Sequence, residues 1–361
     1  MRRDLSAPDG GFATAEDADS EGAEGRFYLW TEQEIAAVLG PRSNAFLERF
    51  ELAEGHLHRR EMDLDPPGQD EAALLEARSR RPRPLRDDKV LADWNGLMIA
   101  AMARAGGAFV DDSLLAPARA AADFVLHRMR TPDGRLLHRY RGGEPAIDGF
   151  ADDYAFLAWG LLELYEATFE GPWLEECVRL VEGLLARFWD EAGAGLFSTT
   201  ASSEMARRKS YTDGVIPSAN SVAALLLLKL NRLTGQLDYQ RKAERIIALY
   251  PSTAAAEALS FSFLLSAADF AAGPTSEIVI AGDPSAPDTA RMRDALRGSY
   301  QPNAVILRSD ARLHPFTASL RPVDGRATAY VCRDFTCSLP TTDAEVMLRL
   351  LQTPSGDTAR P

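Results

Sequence analysis

Acidic and aromatic side chains recur in this sequence just ahead of long apolar stretches. Asp17, Asp19, Glu21 and Glu24 crowd one early loop. Asp88, Lys89, Asp93, Trp94 and Asn95 lead into one apolar stretch, Asp152, Asp153 and Tyr154 into a second, Asp213 and Asn220 into a third. Carboxylates paired across a cavity can supply a general acid and a base or nucleophile for glycoside chemistry. Trp94 and Tyr154 offer flat apolar faces to a sugar ring. On this reading Asp93 and Asp152 are the acid/base candidates, and Lys89 and Asp213 position substrate. Asp17, Asp19, Glu21, Trp94, Asn95, Asp153, Tyr154 and Asn220 complete the candidate site. The plainer alternative is capping, because Asp and Asn at helix starts satisfy orphan N–H groups. Capping competes at each position taken singly; several converging loops favour a shared ligand. The same residues also fit a site that binds without catalysing.

The five histidines are His56, His58, His127, His138 and His314. Epimerisation by proton transfer wants a base near neutral pKa, usually histidine. None of the five lies on an expected inner helix, so the sequence leans toward a hydrolase-like or binding role. His56-Leu57-His58 lacks a nearby Cys or third His and reads as a surface loop, so no metal is expected. No cofactor is called for either. Cys332 and Cys337 are spaced C-x4-C, which is not the redox C-x-x-C. Their thiols can meet if the segment bends, and a structural pair of reduced thiols is the favoured reading. Cys177 reads as a packed residue of an outer helix.

Three apolar helices must position these groups. They begin with Asn95–Ala103, Tyr154–Leu162 and Asn220–Leu228, and their starts lie 59 and 66 residues apart. Being apolar nearly all round, each should be buried on most sides. Each is followed by a more amphipathic helix, Leu115–Met129, Trp173–Trp189 and Tyr239–Leu249, suited to an outer layer. Two of these end in turn phrases, Pro132-Asp133-Gly134 and Asp190 to Phe197. The chain opens on a similar phrase, Pro8-Asp9-Gly10-Gly11-Phe12. The repeat is a helical-hairpin array, either a closed α/α toroid or an open solenoid. Short helical repeats run roughly 33–47 residues, so this longer unit favours the toroid.

Two regions differ. Residues 54–91 are polar, with a short helix expected at Glu71–Arg78. The basic run Arg78 to Arg86 reads as a solvated linker rather than an anion site. After about residue 273 the period changes. Strands are expected at Glu277–Ala281, Ala304–Leu307 and Thr328–Cys332, with helices at Pro287–Leu296 and near Asp343–Leu351. Gly282-Asp283-Pro284-Ser285 reads as a turn and cap rather than an anion-holding helix start. Thr353–Pro361 should be disordered. The expected division is a partial toroid over 1–272 and an α/β segment over 273–361 packed on it.

With 361 residues, 46% of them hydrophobic, the chain can bury a large core. Its net charge of −13 argues against nucleic acid and anionic membranes as partners. Three cysteines exclude a disulfide framework and suit a reducing cytosol. The longest apolar run, Val222–Leu228, is too short to span a bilayer. The opening residues carry no secretory h-region. A soluble, cytoplasmic protein is expected.

Several longer phrases carry a resemblance. They are Gly11-Phe12-Ala13-Thr14-Ala15-Glu16-Asp17-Ala18-Asp19-Ser20-Glu21-Gly22, Asp87-Asp88-Lys89-Val90-Leu91-Ala92-Asp93-Trp94-Asn95-Gly96, Asp152-Asp153-Tyr154-Ala155-Phe156-Leu157, Asp213-Gly214-Val215-Ile216-Pro217-Ser218-Ala219-Asn220-Ser221 and Ala329-Tyr330-Val331-Cys332-Arg333-Asp334-Phe335-Thr336-Cys337. In order, over essentially the whole chain, they resemble the YyaL-type family that includes spermatogenesis-associated protein 20. That resemblance implies a thioredoxin-like domain followed by an (α/α)6 toroid related to sugar epimerases and six-hairpin glycosidases. Set against that resemblance, the thioredoxin-like domain and roughly the first two hairpins are expected to lie outside this chain. Ala219 stands where the family usually has Gly, and Ser210 where it usually has an acidic residue. The expected fold class is therefore mainly α, an incomplete (α/α)6 toroid with a small C-terminal α/β appendage. The expected partners are a carbohydrate ligand and a separate chain carrying the missing thioredoxin-like domain and early hairpins. The alternatives to sugar processing are a non-catalytic interaction module and a truncated, inactive remnant.

Overall fold

The computed structural model describes residues 2–60, 67–201, 207–310, 317, 319–333 and 336–352. His314 and residues 353–361, both discussed above, lie outside them. Two compact units divide the chain: Ala13–Asp88, and Met1–Phe12 together with Lys89–Pro361.

The smaller unit holds β1 (Ala15–Glu16), β2 (Asp19–Ser20), β3 (Ala23–Glu24), α1 (Glu32–Leu39), α2 (Ser43–Arg49), β4 (Phe50–Ala53), β5 (His56–Arg59), α3 (Gln69–Ser79) and β6 (Arg86–Asp87). Its core is Trp30, Ile35, Leu39, Phe46, Phe50 and Leu74. Helix α1 starts on a capping box: Thr31 Oγ1 accepts the Glu34 N–H, and the Glu34 carboxylate accepts the Thr31 N–H. The basic run corrects the linker expectation. The Arg81 guanidinium lies 4.2 Å from the Trp30 ring centre, donates to the Phe27 and Leu29 carbonyls and pairs with Glu34. Arginine's planar fork suits such a clamp, and it ties the segment into the unit.

The larger unit holds β7 (Val90–Leu91), α4 (Ala92–Ala108), α5 (Leu115–Arg128), β8 (Leu137–Arg141), β9 (Glu144–Asp148), α6 (Ala151–Thr168), α7 (Gly171–Phe188), α8 (Ala219–Thr234), α9 (Leu237–Ile247), α10 (Pro251–Ala256) and α11 (Ser262–Ala272). Helices α4, α6, α8 and α11 pack side by side as one row, and α5, α7 and α9 each pack on the helix before them. Sequence pattern explains the layering. Helix α6 is buried on almost every side, whereas α9 buries only Tyr239, Ala243 and Ile246, a single stripe at i, i+4, i+7. This mainly-α, two-layered array with small sheets matches the expected class. The sequence reading did not include α11 as an inner helix, although it buries Leu264, Ala267 and Phe270.

Two glycines set the spacing of α4 and α6. A Cβ on Gly96 would run into the Phe156 and Leu157 backbone, and one on Gly160 would come within 2.6 Å of the Gly96 carbonyl oxygen. The backbones thus approach each other as only residues without a side chain allow.

The repeated turn phrases have a shared job. The backbone N–H of Phe12 donates to Asn95 Oδ1 at 2.8 Å, that of Leu136 to the Tyr154 hydroxyl at 2.9 Å, and that of Leu196 to Asn220 Oδ1 at 2.6 Å. In each case an apolar residue after a glycine-containing turn is fastened to the first turn of an inner helix.

Beyond α11 come β10 (Ser276–Ala281), α12 (Pro287–Arg297), β11 (Ala304–Arg308), β12 (Thr328–Arg333), β13 (Thr336–Cys337) and α13 (Ala344–Gln352). The sheet order is β11-β10-β12-β13, with β10 and β11 parallel across α12 and the other pairs antiparallel. Ile278, Ile280, Met292, Leu296, Val331 and Met347 form its core. Cys332 and Cys337 face each other directly across the β12–β13 register and are joined by a disulfide. This corrects the reading of reduced thiols: the tight reversal places the two residues opposite each other, which spacing alone did not reveal. Cys177 is buried and free on α7, as expected. No helix of the described residues is long and apolar enough to cross a membrane.

Candidate functional site

The first turns of the inner helices meet. Asp93 and Trp94 lie inside the first turn of α4 rather than in the loop before it. The reason is that a neighbour supplies the cap: the Asp153 carboxylate on α6 accepts the Asp93 N–H at 3.0 Å. The same device recurs along the row. Asp152 accepts the Ala219 N–H at the start of α8, at 3.1 Å. Asp213, ahead of α8, accepts the Phe263 and Leu264 N–H groups at the start of α11, at 2.8 and 3.3 Å. These carboxylates sit on the positive ends of neighbouring helices.

Asp153 is fully buried and is the hub. It also accepts the Phe150 N–H at 2.7 Å and the His138 Nδ1–H at 2.9 Å. His138 lies on β8, and the β8–β9 hairpin carries it to the helix start. Its ring meets the edge of Phe150, with centres 5.1 Å apart. The hydrogen bond to Asp153 raises the imidazole pKa above its ordinary value. Asp93 is buried and lies beside this pair. Burial, and then the Asp153 charge, push its carboxyl up to about 6. Asp152 is half-buried and is raised by the same two causes. Trp94 follows Asp93 and leaves 44% of its surface open.

Asp93, His138 and Asp153 each offer a ligand atom within 4.8 Å of one another, a spacing that admits a cation. Asp153 makes a poor metal ligand, however, because its two oxygens already accept from three N–H groups. The arrangement suits proton handling better. Asp153→Asn keeps the shape but removes the charge that holds the His138 proton. The imidazole midpoint followed by NMR is expected to fall in this variant; an unchanged midpoint would contradict the hub role.

The other sequence candidates are placed as follows. Asn95 and Asn220 are buried and spend their side chains on the turns described above; Asn220 Nδ2 also donates to the Leu196 and Ser210 carbonyls. Tyr154 is buried, with its ring against Phe188 and its hydroxyl on Leu136 N–H, so it offers no open face to a sugar. Lys89 is half-buried just ahead of β7. Asp17, Asp19 and Glu21 belong to the smaller unit. There Asp17 accepts the Asp19 N–H, Asp19 pairs across β2–β3 with Glu24, and Glu21 forms an ion pair with Arg26 at 3.0 Å. His56 and His58 share the exposed face of β5.

Sequence reasoning missed His138 because it weighed only histidines on inner helices. The usable signal was the short strand β8, Leu137–Arg141, just upstream of Asp152-Asp153. Sequence reasoning also missed a second buried charge group, Glu163, Glu166 and Lys229.

No family model matches the chain. Among solved structures it is similar to a cellobiose 2-epimerase from Spirochaeta thermophila (14% identity, TM-score 0.38, covering 45% of this chain and 43% of that one). It is also similar to a GH76 α-mannanase from Bacteroides thetaiotaomicron (15% identity, TM-score 0.39, covering 62% and 58%). Among curated proteins it matches mouse and human spermatogenesis-associated protein 20, each 32% identical over 97% of this chain and 53% of the relative. An uncharacterised Caenorhabditis elegans protein is 26% identical over 93% of this chain and 54% of its own length. The chain thus spans about half the length of these relatives. With the sequence match sustained over 97% of its residues, the chain is similar to about half of spermatogenesis-associated protein 20.

Proposed function

We propose that the chain binds and processes a carbohydrate at the first turns of α4 and α6, by acid/base chemistry. The observation that carries this reading is the buried Asp93 carboxyl, held up to about 6 beside Asp153 and His138. A carboxyl tuned toward neutrality is suited to giving up a proton in a reaction near pH 6. In this reading Asp93 is the general acid and Asp152 the second carboxylate. His138 and Asp153 hold the local field, and the open Trp94 ring faces the sugar. Lys89 remains a substrate-positioning candidate, and Asp213 orients α8 and α11 from behind.

The test is turnover across pH of a panel of disaccharides and methyl glycosides, whose leaving alcohols must be protonated. The general acid must be protonated, so kcat/KM is expected to fall as pH rises through about 6. Asp93→Asn should lose roughly 100-fold or more in kcat, the usual worth of a general acid. Trp94→Ala should act mainly on KM. An Asp93→Asn variant that turns over the panel as fast as the parent would refute the assignment.

A further inference from the structure

Helix α6 carries two more acids one turn apart, Glu163 and Glu166, in an otherwise apolar sequence. Lys229 on α8 reaches both, at 3.9 and 2.9 Å, and Arg104 on α4 stands 3.9 Å from Glu163. Glu163 also accepts the Trp159 indole N–H at 2.8 Å, and Glu166 the Ile306 N–H at 3.3 Å. Glu163 and Lys229 are buried, at 9% and 8% exposure. Burial pushes the Glu166 carboxyl above its ordinary value. Stability alone gives no reason to keep such a group, since well-packed apolar residues generally serve a core as well or better than buried ion pairs.

These side chains face a cavity of about 770 Å³ between α4, α6, α8, α11 and the α12–β11 segment. That volume lies within the range of small-molecule sites. Three carboxylates (Glu163, Glu166, Asp269) and three cations (Arg104, Lys229, Arg297) line it, so the wall selects no net ligand charge. Alternating acceptors and donors suit a ligand whose groups both donate and accept, and Phe263 adds an apolar ring. Arg104 lies eleven residues along α4 from Asp93, about 16 Å at the rise of an α-helix, so this is not the Asp93 site.

We propose that this cavity is a second ligand site, for a neutral, hydroxyl-rich molecule of sugar size, contacted directly by Glu163 and Arg104. It stands independently of the Asp93 reading.

Trp159 reports on it, because its indole N–H is held by Glu163. The full chain is titrated with maltose, cellobiose and myo-inositol, with gluconate as a charged comparison, and tryptophan emission is followed. Trp159→Phe identifies the signal that belongs to this ring. At least one neutral polyol is expected to give a saturable Trp159 change, and gluconate to bind no tighter. Glu163→Gln, and separately the more open Arg104→Gln, should each weaken binding about tenfold or more, while Asp93→Asn leaves the midpoint unchanged. Using two variants keeps the test decisive if one of them misfolds. The proposal is overturned if none of the three polyols gives a saturable Trp159 signal. It is equally overturned if binding survives both cavity variants, or if Asp93→Asn abolishes it.

Discussion

Replacing Asp93 by Asn is expected to make the protein more stable at pH 8, not less. The folded carboxyl is raised to about 6 from 3.8, so between those values the folded chain holds a proton that the unfolded chain has released. Stability must then fall as pH rises through that window, and the full penalty is present above it. Two units correspond to about 3 kcal/mol at most, and relaxation of the site reduces this to about 1–3 kcal/mol. Asparagine cannot ionise, and its Oδ1 can still accept the Trp94 N–H that Asp93 accepts at 2.8 Å. His138 works in the same direction by a separate route. Its pKa is raised, so its bond to Asp153 stabilises fully below the unfolded value and is lost as pH rises through the folded one. Urea unfolding of parent and variant at pH 4.5, 6 and 8 separates the two. The variant should show a shallower fall between pH 4.5 and 6 and keep a step at higher pH. A variant that is less stable at pH 8 would show that Asp93 is a structural anion, not a strained working group.

Gly96→Ala is expected to cause the largest stability loss of any single methyl addition in the larger unit. The added Cβ meets backbone atoms of Phe156 and Leu157, which have no rotamer to turn away. Helices α4 and α6 must separate, and their separation breaks the Asp153 to Asp93 hydrogen bond as well. Overpacking a core usually costs about 1–3 kcal/mol, and a backbone clash belongs at or above the upper end, about 3 kcal/mol or more. Thermal unfolding checks the size. In addition, the His138 NMR signal should move, because the strain reaches the hub. A fully stable Gly96→Ala protein with an undisturbed His138 would mean that the two helices slide freely and that the site is not held by their spacing.

The helical repeat was legible because buried and half-buried helices differ in apolar pattern, and α4 to α9 follow that difference closely. Asp93 and Asp152 were identifiable as candidates because acids ahead of apolar helices are few. What the pattern could not show was which helix each acid would cap. Asp153, Asp152 and Asp213 all cap a neighbour, so their partners depend on packing across 60, 67 and 50 residues of chain. Asn95, Tyr154 and Asn220 have the residue types of ligand groups, yet they fasten turns, and only the register of those turns reveals it. His138 was discounted because strand β8 lies outside the helical frame, although the β8–β9 hairpin, Leu137–Asp148, is enough to bring it onto Asp153. Helix α11 was missed because no Asp, Asn or Gly stands just ahead of it; its cap comes from Asp213, far upstream. Glu163 and Glu166 were readable in principle: two acids at i, i+3 share a face, and an apolar helix has no solvent face on which to place them.

The account rests on Asp93 being displaced by burial and by the Asp153 charge, and on His138 being displaced by its hydrogen bond to Asp153. The most direct measurement is a site-resolved NMR titration of the Asp93 carboxyl carbon and the His138 ring in the unmodified chain. The account predicts an Asp93 midpoint near 6 and a His138 midpoint above its ordinary value. An Asp93 midpoint near 3.8 with an undisplaced His138 would contradict it.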